Sequence, residues 1–291
     1  MLSVVKNRMK AIRICPVFLL LLTFCAVANG RVETVQLQSK LINTTLPYNV
    51  ILPTDYDTSK STRYPVLYLL HGLMGHYSDW VARTNIADYA ADYRIIVVMP
   101  EGNDSWYINN YETYILQELI PDVQQRYRTI EARYARAIAG LSMGGYGAIK
   151  FGLKSPATFV FAASMSGVFS VTRLTDKDIP DSWRESLKSF GGSDSQTRTA
   201  NDLHEILQKL TAARVASLPY FYFDCGTEDS LLIFPSNREL AALMFEKKIP
   251  HEFRELPGDH SWAYWDQQVR EILKIAAGKM RLPRTKRTSR A

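Results

Sequence analysis

The chain has 291 residues, a formal net charge of +6, 46% hydrophobic residues and 22% charged residues. These globular values exclude a wholly disordered chain, a collagen-like chain and a small disulfide scaffold. A chain of this length can bury a large core in one α/β domain or in two smaller ones. The sequence pI of about 9.1 is that of a basic protein, so binding to nucleic acid or to an anionic membrane depends on where the charges lie.

The first 28 residues have the pattern of a secretory signal peptide. An apolar run over residues 15–28 follows a basic start and ends in Ala-Val-Ala, the small-x-small pattern of a cleavage site. An uncleaved membrane anchor is the alternative, but the run is shorter than the ~20 residues that a spanning helix needs. We expect residues 1–28 to be removed, and the protein to be secreted or periplasmic without stable membrane insertion. The basic residues of this segment are Lys6, Arg8, Lys10 and Arg13.

The last 13 residues, 279–291, form a second basic segment with six Lys or Arg and no acid. The segment has no apolar periodicity and is predicted to be a disordered tail. The positive charge on the two end segments together exceeds the net charge of the whole chain. Residues 29–278 are therefore mildly acidic. The basic pI therefore gives no support for nucleic-acid binding by the folded domain.

The predicted elements between these ends follow one rhythm. Residues 32–52 alternate apolar and polar residues and predict two short strands. Continuous apolar runs, typical of strands buried on both faces of a parallel sheet, then alternate with helical stretches, and a last short strand is predicted at 251–256. The apolar runs are 64–72, 94–102, 134–145, 159–167 and 219–226; the helical stretches are 86–93, 112–127, 145–156, 201–210, 236–248 and 262–278.

This alternation predicts one α/β domain over residues 29–278. Its sheet is doubly wound and mostly parallel, with helices on both faces and right-handed crossovers. Residues 168–216 interrupt the rhythm, because they are long, polar and rich in Ser, Thr and Asp. We expect a cap-like insertion over the carboxyl edge of the sheet, where ligands bind in such folds.

The motif Gly140-Leu141-Ser142-Met143-Gly144 lies between a predicted strand and a predicted helix. In this setting a serine between two glycines is typical of a nucleophile elbow, which holds the hydroxyl clear of the sheet at the positive end of a helix. The glycines are needed because a Cβ at either position would collide with the neighbouring strand or helix. The alternative is a Gly-rich turn with a capping serine. Ser142 is the candidate nucleophile.

A serine hydroxyl is a weak nucleophile near neutral pH and needs a base. His260 lies in a loop after a strand and before the last helix, where the chain order Ser, acid, His places the base. A third residue has to orient His260 and stabilise its imidazolium form. We predict that this residue is Asp229, in the loop after the preceding buried strand, and Glu228 in the same loop is the second candidate. Asp224 is a third acidic residue, but it ends that strand, and its alternative role is to hold the turn.

Acyl transfer also needs an oxyanion hole, in which two backbone N–H groups face the developing negative charge. One is expected from Met143, the residue after the nucleophile. Residues 71–75 (HGLMG) follow an earlier buried strand, and Leu73 is predicted to supply the second, although a purely structural turn is the alternative. This chemistry needs no metal and no organic cofactor, and none is predicted.

With these pieces placed, residues 33–277 resemble the putative-esterase family of α/β hydrolases. That family includes S-formylglutathione hydrolase (esterase D), tributyrin esterases, feruloyl and acetylxylan esterase domains, and the mycolyltransferases of the antigen 85 group. The stretches YPVLYLLHGLMG, MPEGNDSWYIN, AGLSMGGYGA, DCGTEDSLL and PGDHSWAYW carry the resemblance. It implies an α/β-hydrolase fold with a triad of Ser142, Asp229 and His260 and an oxyanion hole of Leu73 and Met143.

The resemblance also implies that the stretch containing Trp106 and Tyr107 lies near the acyl site, so both residues are candidates for substrate binding. Trp262, close to His260, is a third candidate. For all three residues the alternative is packing in the core.

The sequence thus predicts an exported serine carboxylesterase that acts through an acyl-enzyme on short-chain acyl esters, or on feruloyl or acetyl esters of carbohydrates. Its partner would be a small-molecule or carbohydrate-linked ester, with the oligomeric state left open. The export signal argues against an S-formylglutathione-type thioesterase, whose substrate is cytosolic. An acyltransferase of the mycolyltransferase type and a non-catalytic binding protein on the same scaffold also stay open.

Overall fold

One mixed sheet is the centre of the fold. The computed structural model describes residues 30–280 except 176, 193 and 232, and within them eight strands pair in the order β1-β2-β4-β3-β5-β6-β7-β8. Strand β2 is antiparallel to β1 and β4, and the other neighbours are parallel. The strands are β1 (Arg31–Ser39), β2 (Thr44–Leu52), β3 (Val66–Leu70), β4 (Ile96–Pro100), β5 (Arg136–Leu141), β6 (Phe161–Met165), β7 (Tyr220–Gly226) and β8 (His251–Leu256).

Helices cover both faces of this sheet. A π-helical turn, Ile115–Leu119, joins α3 to α4, so the stretch predicted as one helix is continuous through three segments. Short 3₁₀ turns lie at Arg133–Ala135, Val171–Arg173, Asp181–Trp183 and Lys188–Phe190. The α-helices are α1 (Asp79–Arg83), α2 (Ile86–Ala91), α3 (Asn110–Tyr114), α4 (Ile120–Arg126), α5 (Met143–Lys154), α6 (Arg184–Leu187), α7 (Gln196–Ala200), α8 (Leu203–Gln208), α9 (Ala212–Ser217), α10 (Phe234–Glu246) and α11 (Trp262–Lys279).

Alternate residues of the central strands enter two separate cores. In β3, Tyr68 and Leu70 belong to the core under α3, α4, α5 and α10, whereas Leu67 and Leu69 belong to the core under α1, α2 and α11. Side chains of a strand point alternately to opposite faces, so a strand covered on both faces has to be apolar at every position. The doubly wound prediction is thereby confirmed.

The predicted insertion is a layer of short helices between β6 and β7. Its abundant Ser, Thr and Asp residues include three helix caps: Ser195, Asp202 and Thr211 each accept a hydrogen bond from the backbone N–H three residues later. Such caps satisfy N–H groups that a helix end leaves free. Trp183 and Phe190 anchor the layer in the core. The insertion is therefore ordered by local caps and by a few large apolar side chains.

The two predicted end segments lie largely outside the described residues. The predicted signal peptide, 1–28, is outside them, as are residues 281–291 of the predicted tail. Lys279 is the last residue of α11 and lies over the ring of Tyr220, and the side chain of Met280 is buried. The described fold thus extends two residues past the predicted boundary at 278. Between residues 30 and 280, no described helix is long and apolar enough to cross a membrane.

A buried carboxyl group connects β7 to α11. Asp224 is completely buried, and its Oδ1 accepts a hydrogen bond of 2.8 Å from the hydroxyl of Tyr264. Burial raises the pKa of Asp224 to about 7, although the hydrogen bond from Tyr264 acts in the opposite direction. Asp224 therefore serves to hold α11 on the sheet.

Replacing Asp224 by Asn tests the cost of this burial. An acid with a raised pKa in the folded state loses stability as the pH rises from its unfolded pKa of about 3.9 to its folded pKa. The melting temperature of Asp224→Asn, relative to the unmodified protein, should therefore increase between about pH 5 and about pH 8, by the equivalent of ~2 kcal/mol. Tyr264→Phe should show the opposite trend, since it removes the donor to the carboxylate. If the melting temperatures of all three proteins changed with pH by the same amount across this range, the assignment would be contradicted.

Candidate active site

Ser142 occupies a strained turn between β5 and α5. Its backbone has φ 52° and ψ −116°, in the left-handed half of conformational space that side-chain-bearing residues rarely adopt. A Cβ at Gly140 would lie 2.4 Å from the backbone of Gly144, and one at Gly144 would lie 2.5 Å from the carbonyl oxygen of His71. The predicted need for both glycines follows from these contacts, which bring the turn close to the end of β3.

The side chains of Ser142, His260 and Asp229 form a continuous hydrogen-bonded chain. His260 Nε2 lies 3.0 Å from Ser142 Oγ, and His260 Nδ1 lies 2.7 Å from Asp229 Oδ2. The Asp229 carboxylate is fully buried, and its other oxygen accepts the backbone N–H of Leu231 at 3.0 Å. Because Asp229 accepts a hydrogen bond from Nδ1–H of His260, Nε2 is the acceptor that faces the serine hydroxyl. The structure thus brings together the three residues predicted from chain order.

The loop that carries His260 is held against β7 by a close backbone approach. A Cβ at Gly226 would lie 2.2 Å from the carbonyl oxygen of Gly258, and Gly258 itself has φ 139°. The backbone N–H of Glu228 donates to the Gly258 carbonyl at 2.9 Å, and the Glu228 side chain is exposed. Asp229 points inward next to it, which explains why Asp229 contacts His260. The edge of the Trp265 ring packs against the imidazole at a centroid distance of 4.9 Å.

The two predicted oxyanion donors flank Ser142. Met143 is the first residue of α5, and the first N–H groups of a helix have no acceptor within the helix. Leu73 lies in the turn after β3 and lines the same cavity as Ser142. Two hydrogen bonds shape this turn: the Gly75 N–H donates to the Gly72 carbonyl at 3.1 Å, and the Met74 N–H donates to Asp104 at 2.6 Å. Both predicted donors are therefore on backbone that neighbouring groups hold in place.

Glu101, which directly follows β4, stabilises the turn after β3. Its carboxylate accepts the backbone N–H of Asn103 at 2.9 Å and that of Tyr77 at 3.3 Å, and it lies 3.2 Å from His71 Nε2. Burial raises the pKa of Glu101, but the contact with His71 and the backbone donors outweigh burial and lower the pKa to about 2. Glu101 is therefore a carboxylate at any pH near neutral, and it ties the loops after β3 and β4 together.

A cavity of about 500 Å³ opens above Ser142 and His260. Arg83 and Asp79 of α1 form a charged pair at its edge, with Arg83 Nε 3.5 Å from Asp79 Oδ1. A larger cavity, about 790 Å³, lies between α5 and α7–α9 and includes neither Ser142 nor His260. The apolar wall of the cavity above Ser142 consists of Leu73, Met74, Leu141, Trp183, Leu231, Trp262 and Trp265.

The structure places Trp262 on the cavity wall but corrects the expectation for Trp106 and Tyr107. Both of these side chains are completely buried and are not part of the wall. Trp106 packs on Trp183 at 5.5 Å and its indole N–H donates to Ser186, so it supports the wall from behind. Both side chains point into the core because the loop backbone has positive φ at Trp106 and at Tyr107. For Trp106 and Tyr107 the packing alternative is the correct one.

Several wall residues were missed by the sequence reasoning. Trp183 comes from the insertion, Arg83 from α1 and Leu231 from the loop after β7. The sequence signal for Leu231 was its place two residues after Asp229, whereas Trp183 and Arg83 have no motif around them. Among the described residues there is no group of three or more His, Cys, Asp or Glu that could hold a metal ion.

Comparisons with known proteins agree with this geometry. The chain is 28% identical over 250 residues to an acetyl esterase of Caldicellulosiruptor saccharolyticus, a match that covers 79% of this chain and 92% of that protein. A ferulic acid esterase superimposes with a TM-score of 0.76 at 29% identity, covering 86% of this chain and 98% of the other. The Staphylococcus aureus fluorophosphonate-binding serine hydrolase F also has a TM-score of 0.76, at 30% identity, covering 86% and 99% of the two chains.

The α/β-hydrolase fold is confirmed by these structural matches, and the class of protein follows: the chain is a carboxylic ester hydrolase. More narrowly, the model of the family described as "Putative esterase" matches residues 39–275. The chain belongs to that family, as the sequence resemblance implied.

Gly144→Ala tests the close packing of the elbow. The new Cβ would meet backbone oxygens of Leu70 and His71 at 2.7 and 2.5 Å, so backbone has to move. We expect a loss of about 1–3 kcal/mol in unfolding free energy, as for other overpacked sites, together with reduced esterase activity. Gly278→Ala in α11 is the matched control, because its Cβ would meet nothing within 4 Å. It should raise the melting temperature slightly through helix propensity. Equal melting temperatures for the two variants would contradict this account.

Proposed function

We propose that the protein is an exported serine carboxylesterase in which Ser142 is the nucleophile, His260 the general base and acid, and Asp229 the residue that orients His260. The observation that carries the proposal is the hydrogen-bonded chain itself, with 3.0 Å from Ser142 to His260 and 2.7 Å from His260 to Asp229. These distances lie within the range that proton transfer between a nucleophile and its base requires.

In the acylation half, Ser142 Oγ attacks the ester carbonyl carbon while His260 Nε2 takes the hydroxyl proton. The carbonyl oxygen becomes an oxyanion and accepts hydrogen bonds from the backbone N–H groups of Leu73 and Met143. His260 then donates its proton to the alcohol oxygen as the ester bond breaks. The alcohol leaves and the acyl group stays on Ser142.

In the deacylation half, His260 removes a proton from water, and the hydroxide oxygen attacks the acyl-enzyme carbonyl. The same two N–H groups donate to the oxyanion, and His260 returns its proton to Ser142 Oγ as the acid is released. Asp229 keeps the Nδ1 proton of His260 in place throughout and stabilises the imidazolium form. Each turnover therefore consumes one ester and one water and yields one acid and one alcohol.

The proposed substrates are short-chain acyl esters, or feruloyl or acetyl esters of carbohydrates. Relatives described as an acetyl esterase and as a ferulic acid esterase support this range. The three indole rings on the wall, those of Trp183, Trp262 and Trp265, are suited to planar acyl groups and to the apolar faces of sugars. A cavity of about 500 Å³ can accept a small ester of this kind.

Ser142→Ala should abolish the activity. We expect the release of p-nitrophenol from p-nitrophenyl acetate or butyrate to fall by roughly 10⁴-fold or more, with an unchanged melting temperature. Labelling of the protein by a fluorophosphonate probe should disappear as well.

The matched control is Ser155→Ala, at the opposite end of the same helix. It should keep both the activity and the labelling. Ester hydrolysis by Ser142→Ala at the rate of the Ser155→Ala control would overturn the proposal.

Export is the second part of the proposal, and it is supported by the basic, apolar and small-residue pattern of residues 1–28. When the full chain is produced in a bacterium, the exported fraction should contain a form whose mass corresponds to a first residue of Asn29. Leu20→Arg, which puts a charge in the apolar run, should leave an uncleaved precursor in the cytoplasm, while Lys6→Arg should be processed normally. Normal cleavage of Leu20→Arg would argue against a signal peptide.

A further inference from the structure

A loop of unusual backbone conformation lies behind the cavity. Asn103, Trp106, Tyr107 and Asn109 all have positive φ, between 42° and 54°, although none is glycine. Residues with a side chain rarely adopt positive φ, and the conformation persists only where surrounding groups hold it. The contacts that hold residues 103–109 therefore act on whatever this loop supports.

The buried ammonium group of Lys150 makes one of these contacts. Lys150 lies in α5 and is completely buried, with Nζ 2.6 Å from the carbonyl oxygen of Tyr107 and 2.7 Å from Glu112 Oε2. The side-chain oxygen of Asn201, in the insertion, lies 3.5 Å from the same nitrogen. Burial lowers the pKa of Lys150 to about 8, while the charge of Glu112 acts in the opposite direction. At neutral pH the group is thus a charged donor fixed between α5, α3 and the strained loop.

Tyr107 transmits this fixed position to the turn after β3. Its hydroxyl donates to the carbonyl oxygen of His71 at 3.2 Å. Its ring fills a slot that exists because two neighbours are glycines, since a Cβ at Gly102 or Gly147 would lie 2.4 or 2.9 Å from the ring. His71 precedes Leu73 by two residues. Lys150 therefore contacts the backbone carbonyl of Tyr107, and the Tyr107 hydroxyl contacts the turn whose backbone carries the Leu73 N–H.

The helix that holds Lys150 also begins at Met143. The strained loop touches that end too, because the Trp106 backbone N–H lies 3.3 Å from the Met143 sulfur. We propose that Lys150 is a positioning residue that sets the distance between the two oxyanion donors, Leu73 and Met143. This inference rests on the proposed function, in which those two N–H groups stabilise the tetrahedral intermediate.

Lys150→Met tests the inference, since methionine is unbranched and nearly as long as lysine but donates no hydrogen bond. Glu112 keeps a partner in this variant, because Lys154 Nζ lies 3.0 Å from it. We expect kcat to fall about 10–100-fold, as misplacement of an oxyanion donor predicts, with KM unchanged within about two-fold. The inhibition constant of a trifluoromethyl ketone, whose adduct carries an oxyanion, should rise by the same factor as kcat falls.

Lys154→Met is the matched control. Lys154 lies one turn further along α5 and contacts the same two side chains, Glu112 at 3.0 Å and Asn201 at 3.4 Å, but its side chain is 30% exposed. This variant should keep kcat and the inhibition constant within about two-fold of the unmodified protein. An equal loss in both lysine variants would overturn the inference, because the loss would then come from the shared ion pair.

Tyr107→Phe supplies a test that does not depend on burying a new side chain. It removes the hydroxyl that reaches His71 and leaves the carbonyl that Lys150 contacts. We expect kcat to fall about 3–10-fold with a matching rise in the inhibition constant, and the double variant with Lys150→Met to lose less than the product of the single losses. An unchanged inhibition constant in Tyr107→Phe would overturn the inference.

The outcome for Ser142→Ala separates this inference from the proposed function. If Ser142→Ala is inactive and Lys150→Met has the kcat of the unmodified protein, the positioning role is wrong and the proposed function stands. If Ser142→Ala hydrolyses esters normally, the proposed function fails and the positioning role fails with it.

Discussion

The contact between the elbow at Ser142 and the end of β3 is the constraint on which the rest of the site depends. Gly144 lies so close to the carbonyl oxygens of Leu70 and His71 that no side chain fits between them. This contact fixes the start of α5 relative to the turn after β3, and those are the two segments that carry Met143 and Leu73. The strained backbone of Ser142 is the cost of that approach, and the buried pairing of β5 between β3 and β6 holds it in place.

Buried carboxyl groups around the sheet show how their partners decide the protonation state. Glu101 and Asp224 are both buried, and burial favours the neutral form of each. Glu101 accepts two backbone N–H groups and contacts His71, and its pKa falls to about 2. Asp224 has the hydroxyl of Tyr264 as its partner, and its pKa rises to about 7. Glu101 is thus fully ionised beside the turn that carries Leu73, whereas Asp224, between β7 and α11, is only partly ionised near neutral pH.

The sequence predicted the parts of this fold that depend on local order along the chain. Continuous apolar runs identify strands buried on two faces, and the glycines around Ser142 identify the elbow, because each pattern has one physical cause within a few residues. His260 and Asp229 followed from their place after consecutive strands. Trp106 and Tyr107 were misassigned, since the side of the wall on which a ring lies depends on backbone angles that no motif specifies. The role of Lys150 was also out of reach, because its partners lie 38 to 51 positions away and, unlike those of Ser142, are marked by no motif.

The proposed nucleophile and most of the cavity wall come from different parts of the molecule. Ser142 and Met143 follow β5, which lies in the middle of the sheet, so backbone pairing holds their positions. The cavity wall comes largely from loops and from the insertion, through Leu73, Trp183 and Leu231. Loops can change without disturbing the sheet, and function on such scaffolds varies with them. A ferulic acid esterase shares this fold with the present chain, and an acetyl esterase is similar to it in sequence. One sheet of this kind can thus carry different cavity walls, because the loops that build the wall change without changing the strands.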